Sequence, residues 1–259
     1  MLFGEIAYGP IHSRRLGISL GMEIMPLEHK LCTFDCVYCE CGWNEPVNHP
    51  ILPTREQVRE ALEEALIKIV NGKCENGKCL DVITFSGNGE PTLHPDFIGI
   101  IQDTCALRDR YCPNAKVSVL SNSTQLGRKD VVDALWLCDN RILKLDAGTD
   151  EMMRRIDKPV NKNLTVSQII GWLQQFNGDF TLQTCFLRGT HNGLIIDNTT
   201  ADELGAWYRA VETLRPKQIM IYVIDRKTPE EHLEKISPDE MERIAAPLIA
   251  KGFNVSISA

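Results

Sequence analysis

No run of apolar residues in this 259-residue chain approaches the roughly 18 to 20 that a membrane-spanning helix needs. The N-terminal stretch MLFGEIAYGPIHSRR has no apolar core of the signal-peptide kind, so the chain reads as soluble and cytoplasmic, with no membrane partner. Low-complexity sequence is scarce and no internal repeat is visible. Positive charge is in deficit: 28 Lys and Arg against 35 Asp and Glu leave a net charge of -7, where a broad nucleic-acid surface is usually basic. RNA contact would have to use local patches such as Ser13-Arg14-Arg15. Cysteine is absent before Cys32, yet the whole chain carries ten. A chain of this size buries an adequate core without disulfide staples, and nothing marks it for secretion, so its thiols are available as metal ligands.

Short apolar runs and amphipathic segments alternate along the chain. Ile18–Met25, Asp81–Ser86, Lys116–Leu120, Arg141–Asp146, Asp179–Leu187, Lys217–Val223 and Phe253–Ser258 are rich in Val, Ile and Phe, as buried parallel strands are. Between them, Thr54-Arg-Glu-Gln57, Thr165-Val-Ser-Gln168, Thr200-Ala-Asp-Glu203 and Ser237-Pro-Asp-Glu240 fit the capping box that starts a helix. Behind the first, Val58, Ala61, Leu62, Ala65, Leu66 and Ile69 recur at helical spacing and give one apolar face. Strand, helix, strand in this order means parallel strands with crossover helices. A complete (β/α)8 barrel fits the length, but six strand–helix units and a last strand predict less. The expectation is an α/β fold, a partial (β/α)6 barrel or an open sheet. Residues 1–225 form the core domain, and residues 226–259 add a short helix–strand extension packed on it. In either architecture chemistry belongs at the C-terminal ends of the strands.

The stretch LCTFDCVYCECGWN, residues 31–44, sets Cys32, Cys36 and Cys39 in the spacing C-x3-C-x2-C. Three thiolates on one short loop can converge on a metal centre at little cost in loop closure. Structural zinc wants a fourth ligand, usually as separated pairs, and no second pair stands at a knuckle spacing. Three cysteines suit a [4Fe–4S] cluster with one iron open to another ligand. Cys41 is a packed small hydrophobe, a stray ligand or a thiol near substrate. Cys74-Glu-Asn-Gly-Lys-Cys79 reads as a turn with two reduced thiols, a small metal or redox site being the alternative; Cys105, Cys112, Cys138 and Cys185 are expected mostly in the core.

Several strand ends carry polar residues. Asp81–Ser86 runs into Gly87-Asn88-Gly89-Glu90-Pro91, where glycines let the backbone approach a ligand and Glu90 can accept from a cationic amino group. A tight turn alone also explains this stretch. Ser121-Asn122-Ser123-Thr124 ends the next strand, and Lys144-Leu-Asp146-Ala-Gly148 the one after. Asn122 and Asp146 can bond hydroxyls, and Lys144 shares a strand face with Asp146; turn formation would equally explain Asn and Gly there. Gln183 and Arg188 on the fifth strand are candidate pocket or catalytic residues, because polar groups in a buried strand require partners. Tyr222 and Asp225 close the sixth strand similarly. For each of these a satisfied structural network is the competing explanation.

With an aromatic residue, Tyr38, before Cys39, the cysteine spacing resembles the C-x3-C-x-Φ-C motif of the radical S-adenosylmethionine (radical SAM) superfamily. The resemblance implies that the open iron of a [4Fe–4S] cluster chelates the amino and carboxylate groups of SAM. It further implies that an electron from a donor such as flavodoxin or ferredoxin yields methionine and a hydrogen-abstracting 5′-deoxyadenosyl radical. The stretch GNGEP resembles the family's GGEP motif, which implies that Gly87, Asn88, Gly89 and Glu90 hold the methionine amino group. By the same resemblance Tyr38, Asn122, Lys144 and Asp146 contact SAM. Gly9–Gly21, Cys39-Glu-Cys-Gly42 and Phe85–Pro95 look like a bacterial and archaeal wyosine-synthetase-like group, the likeness running from about residue 7 to 225.

Wyosine synthetases rebuild a methylated guanine of tRNA with pyruvate as carbon donor, and their pyruvate-using members carry further cysteines and a lysine. Here a second cluster could draw only on Cys41 and downstream thiols. The implied substrate is a nucleoside or tRNA, a peptide or a small metabolite. One alternative is an activase that installs a glycyl radical on a partner enzyme. Another is a non-catalytic iron–sulfur or zinc-binding module. His12, Arg14 and Arg15 are either a charged surface leader or a phosphate or carboxylate clamp.

Overall fold

The computed structural model describes residues 2–13, 16–72 and 79–259, so Arg14, Arg15 and Cys74 lie outside the described residues. The chain divides into two compact units, residues 1–32, 44–121 and 127–141 in the first and 33–43, 122–126 and 142–259 in the second.

The first unit contains β1 (Ala7–Ser13), β2 (Gly17–Met22), α1 (Arg55–Asn71), β3 (Val82–Phe85), α2 (Phe97–Tyr111), β4 (Lys116–Ser121) and α3 (Lys129–Leu137). β2, β3 and β4 are parallel, with Ser19 opposite Val82 and Val82 opposite Lys116. Val82, Ile83 and Phe85 are all buried, which is the continuous apolar pattern expected of a strand covered on both faces. β1 pairs antiparallel with β2 and is an addition to the expected set. Its sequence, AYGPIHS, reads as a loop because Gly-Pro interrupts it.

Thr54 caps α1 in a complete capping box with Gln57. Val58, Leu62 and Leu66, four residues apart, are fully buried, and each contributes about 1.5–3 kcal/mol from burial. The bidentate Arg55–Asp103 pair between α1 and α2 is solvent-facing and adds little beside that apolar seam. A cavity of about 780 Å³ lies among β1, β2 and α1, lined by residues including His12, Ile18, Glu64, Lys68 and Cys79 and by none of the residues expected to hold the cluster or SAM. Cys79 is disulfide-bonded rather than the reduced thiol expected.

The second unit takes up the chain at Ile142, within β5 (Asn140–Lys144), and continues through α4 (Asp150–Ile156), α5 (Val166–Leu173), β6 (Thr181–His191), β7 (Leu194–Asp197), α6 (Ala201–Leu214), β8 (Gln218–Val223), β9 (Leu233–Lys235), α7 (Pro238–Ala250) and β10 (Val255–Ser258). β5, β6, β8 and β10 follow one another in parallel, with Ile142 opposite Thr181, Thr181 opposite Gln218 and Ile219 opposite Val255. Trp207 of α6 is fully buried edge-on to Phe186, and its indole N–H donates to the Thr184 hydroxyl at 3.1 Å. That hydroxyl in turn donates to the Leu145 carbonyl, so the one polar atom of the helix–sheet contact is satisfied.

β6 outruns its expected end at Leu187. Past that point it pairs antiparallel with both β7 and β9, building a small second sheet at the C-terminal end of the strand. Thr165 and Gln168 complete a capping box on α5. At α6 the Thr200 hydroxyl accepts the Glu203 N–H, but the Glu203 carboxylate binds the Gly148 N–H and the Thr149 hydroxyl instead of closing the expected box. The protein is an α/β fold with a mostly parallel sheet, ending in the helix and strand α7–β10. Among the described residues no helix is long and apolar enough to cross a membrane.

Candidate functional site

The cysteine loop of the second unit is held by its backbone. Asp35 N–H donates to the Asp157 carbonyl at 2.8 Å, Val37 N–H to the Ile156 carbonyl at 2.9 Å, and Val160 N–H to the Thr33 carbonyl at 2.9 Å. The loop thus lies strand-like along the end of α4. Phe34 and Val37 are buried, so the non-cysteine positions anchor the loop. Cys36 is buried and Cys39 and Cys41 are half-buried; none of the three is disulfide-bonded, nor is Cys32 of the first unit. The Asn44 side-chain amide donates to the Cys32 carbonyl at 3.2 Å.

The far end of the loop is clamped by side chains. The Lys158 ammonium lies over the Trp43 ring, 4.1 Å from its centroid, and 3.2 Å from His191 Nε2. His191 Nδ1 is 2.6 Å from Glu230, and hydrogen bonds from His191 and then His232 hold that carboxyl down at about 2. Glu40 pairs with Arg226 at 2.7 Å.

Beneath the loop lies a buried array of charge. Lys144 Nζ, at the end of β5, stands 2.7 Å from Asp157 Oδ1, 3.2 Å from Asp146 Oδ2 and 3.0 Å from Cys36 Sγ. Burial opposes the ammonium, but Asp146 and Asp157 outweigh it and carry Lys144 well above the ordinary lysine value. Burial raises Asp157 to about 6, with Lys144 pulling the other way. Asp146 Oδ1 accepts the Cys185 N–H at 2.8 Å, and its Oδ2 accepts the Tyr38 hydroxyl. Tyr222 Oη is 3.5 Å from Tyr38 Oη. Burial, followed by the Asp146 charge for Tyr38 and by Cys185 for Tyr222, pushes both phenols up, so both remain protonated donors. The expected sharing of one face by Lys144 and Asp146 is therefore realised as a direct contact.

In the first unit the Gly87–Glu90 turn is built around Glu23, which carries no motif of its own. Glu23 accepts N–H groups from Asn88 and, at 2.6 Å, from Met25. A Cβ on Gly87 would collide with that carboxylate, and one on Gly89 with the Leu31 carbonyl, so both glycines are required by close approach. Leu31 N–H donates to the Asn88 carbonyl at 3.0 Å and Glu90 N–H to the Leu31 carbonyl at 3.1 Å. The Asn88 side chain is turned away into the protein, bonding both backbone groups of Phe3 and the Pro26 carbonyl. Glu90 Oε1 accepts the Thr92 N–H at 3.1 Å and the Ser121 hydroxyl at 2.9 Å, capping the 3₁₀ turn Pro91–Leu93. Burial pushes Glu23 up to about 7 against its backbone hydrogen bonds.

The remaining expected residues separate by environment. Asn122 donates to Thr33 Oγ1 at 2.9 Å and accepts from the Thr124 hydroxyl at 2.7 Å. Gln183 is buried on β6 with Met220 Sδ at 3.9 Å. Arg188 is tied to Thr199 at 2.7 Å and Glu240 at 2.8 Å, partners at the start of α6 and α7. Asp157, like Glu23, has no sequence signal; it follows α4 and reaches the array only through the fold.

Among the described residues no group of three or more His, Cys, Asp and Glu is gathered as metal ligands. The fit to an iron–sulfur cluster lies in the chemistry of the donors. Cys32, Cys36 and Cys39 are not disulfide-bonded, and Cys36 lies against an ammonium that suits an anionic sulfur.

The family model of the radical SAM superfamily matches residues 29–190, which include the cysteine loop, the Gly87–Glu90 turn and the Lys144–Asp157 array. A UPF0026 protein of Helicobacter pylori is 28% identical over 260 residues, covering 97% of this chain and 76% of that protein. Another curated relative is matched over only 32% of its length. Among solved structures, Streptococcus suis SuiB bound to S-adenosylmethionine is similar with a TM-score of 0.62 and 13% identity, over 89% of this chain and 49% of that one. TYW1 with a lysine–pyruvate adduct is similar with a TM-score of 0.60 and 16% identity, over 90% of this chain and 73% of that one. These likenesses show the fold, the partial TIM-like barrel of that group. The chain belongs to the radical SAM superfamily, enzymes that use a [4Fe–4S] cluster and S-adenosylmethionine.

Proposed function

We propose that this enzyme binds its [4Fe–4S] cluster through Cys32, Cys36 and Cys39 and abstracts hydrogen from an organic substrate. When bound, cluster and SAM supply reductive cleavage of the sulfonium bond to methionine and a 5′-deoxyadenosyl radical. The observation that supports the proposal is the cysteine loop, without a disulfide and pinned to the end of α4, which lies within the residues that the family model matches. Burial of Phe34 and Val37 fixes the loop against the protein, so that its cysteines are held in place.

Each unit offers candidate SAM contacts. In the first, Gly87, Asn88 and Gly89 present backbone and Glu90 a carboxylate for the methionine amino group. In the second, Asp146 and Asn122 are hydroxyl partners for the ribose, and Tyr38 orients Asp146. Lys144, expected beside them, has its ammonium committed to two carboxylates and a thiol. Gln183 is kept as a substrate-pocket candidate and Arg188 as a second one. Residues 1–225 are the proposed catalytic core, with 226–259 as an extension packed on it. The electron donor is proposed to be a flavodoxin or ferredoxin.

Likeness to TYW1 makes a tRNA nucleoside with pyruvate the first substrate pair to screen, followed by peptides and small metabolites. Iron counts and SAM binding by calorimetry on Cys32→Ala, Cys36→Ala and Cys39→Ala test the ligand set. Loss of iron in each supports it, whereas four irons retained in all three variants would remove it.

A further inference from the structure

Lys144 is fixed to an unusual degree for a lysine. Its Nζ touches Asp157, Asp146 and the Cys36 sulfur at 2.7, 3.2 and 3.0 Å, and lies 4.9 Å from the Tyr38 ring centroid and 5.1 Å from that of Phe34. The side chain is 11% exposed and those of Asp146 and Asp157 are 0% and 3% exposed, so solvent screens the group weakly. Two carboxylates and two aromatic faces hold the ammonium in place, with its remaining contact to Cys36 Sγ, a thiol that also donates to Asp157 Oδ1 at 3.5 Å. A cation held there without a function would be a costly staple, since an ion pair this deep rarely adds stability over apolar packing.

We infer that Lys144 is a positioning residue for electron transfer: it donates an N–H···S hydrogen bond to the Cys36 ligand and raises the reduction potential of the cluster. The inference rests on the proposed ligation by Cys36. Reduction adds negative charge that is shared with the ligand sulfurs. A nearby ammonium therefore stabilises the reduced form more than the oxidised one, and hydrogen bonds to cluster sulfurs are among the levers that set such potentials. Asp146 and Asp157 then hold a cation beside the cluster, and Asp146 has its other oxygen on the Cys185 N–H, fixing it to β6.

The test uses the full chain, reconstituted anaerobically with iron and sulfide, as wild type, Lys144→Arg and Lys144→Gln. Iron and sulfide are counted, and the midpoint potential is read by EPR-monitored redox titration without SAM. The expected result is a full cluster in all three, a more negative potential in Lys144→Gln and a near-native one in Lys144→Arg. Should Lys144→Gln fail to fold or to hold iron, wild-type protein labelled with ¹⁵N-lysine gives the answer. Pulsed EPR of its reduced cluster should show a ¹⁵N coupling that is lost in Lys144→Arg. An unchanged potential in an iron-replete Lys144→Gln, or no ¹⁵N coupling in wild type, overturns the role of Lys144 alone. A wild-type protein that takes up no cluster overturns the ligand assignment and this role together.

Discussion

Glu23 makes the pH dependence of stability a sharp test of how the Gly87–Glu90 turn is built. The residue is 1% exposed, and burial raises its carboxyl from the ordinary 4.5 to about 7 although backbone N–H groups of Asn88, Met25 and Ile24 favour its charged form. At about 1.36 kcal/mol per pKa unit, that displacement corresponds to about 3 kcal/mol. The sign follows from which state binds the proton more tightly. Below the unfolded value near 4.5 both states are protonated and the contribution to stability is fully present. As pH rises toward 7 the unfolded chain releases the proton while the folded one keeps it, so stability falls and then levels off. About 2.5 kcal/mol of the loss should lie between pH 5 and pH 8.

Urea unfolding of wild type and Glu23→Gln at both pH values isolates the effect. Gln turns an amide toward the Met25 N–H and carries its own constant penalty, but it does not titrate. The stability difference between the two proteins should therefore change by about 2.5 kcal/mol in favour of the variant as pH rises. Parallel pH curves would refute the buried carboxyl, desolvated beyond what its backbone donors offset, on which the turn rests.

Three further outcomes are expected. Gly89→Ala must push the turn off the Leu31 carbonyl and should weaken SAM binding at least tenfold by calorimetry while far-UV circular dichroism stays native; unchanged affinity would exclude the turn from the SAM site. Thr54→Ala removes the hydroxyl of a complete capping box and should cost about 1 kcal/mol in urea unfolding, with no effect on iron content. Trp207→Ala empties a fully buried site against Phe186 and leaves the Thr184 hydroxyl without its indole donor, for a loss of about 3–5 kcal/mol. A loss under 1 kcal/mol in thermal or urea unfolding would show that α6 is not part of the cooperative core.

The parallel strands were legible because burial on both faces writes an unbroken apolar run. Val82–Phe85 and Gln218–Val223 lie within one or two residues of their expected bounds. β1, β7 and β9 were not. Gly-Pro breaks the first, and the other two are four and three residues long and acquire strand character only by pairing with the overrun of β6. At the site, two-residue alternation carried the Lys144–Asp146 contact, while the cysteine loop and the GNGEP turn stood out through residue type, spacing and likeness to family motifs. Glu23 and Asp157 escaped because their meaning is tertiary: each is an ordinary acid in sequence whose burial against a turn or a lysine appears only in the fold. Arg188 was expected to need partners in a buried strand, and strand alternation could not say that these would be Thr199 and Glu240.

The most direct measurement of the proposed chemistry is 5′-deoxyadenosine production by the anaerobically reconstituted protein with SAM and a strong reductant, read by mass spectrometry against a cluster-free control. Reductive cleavage at a cluster on Cys32, Cys36 and Cys39 predicts 5′-deoxyadenosine above that control in wild type and none in Cys36→Ala. A wild-type sample shown to hold four irons that forms no 5′-deoxyadenosine, with or without tRNA and pyruvate, would contradict it.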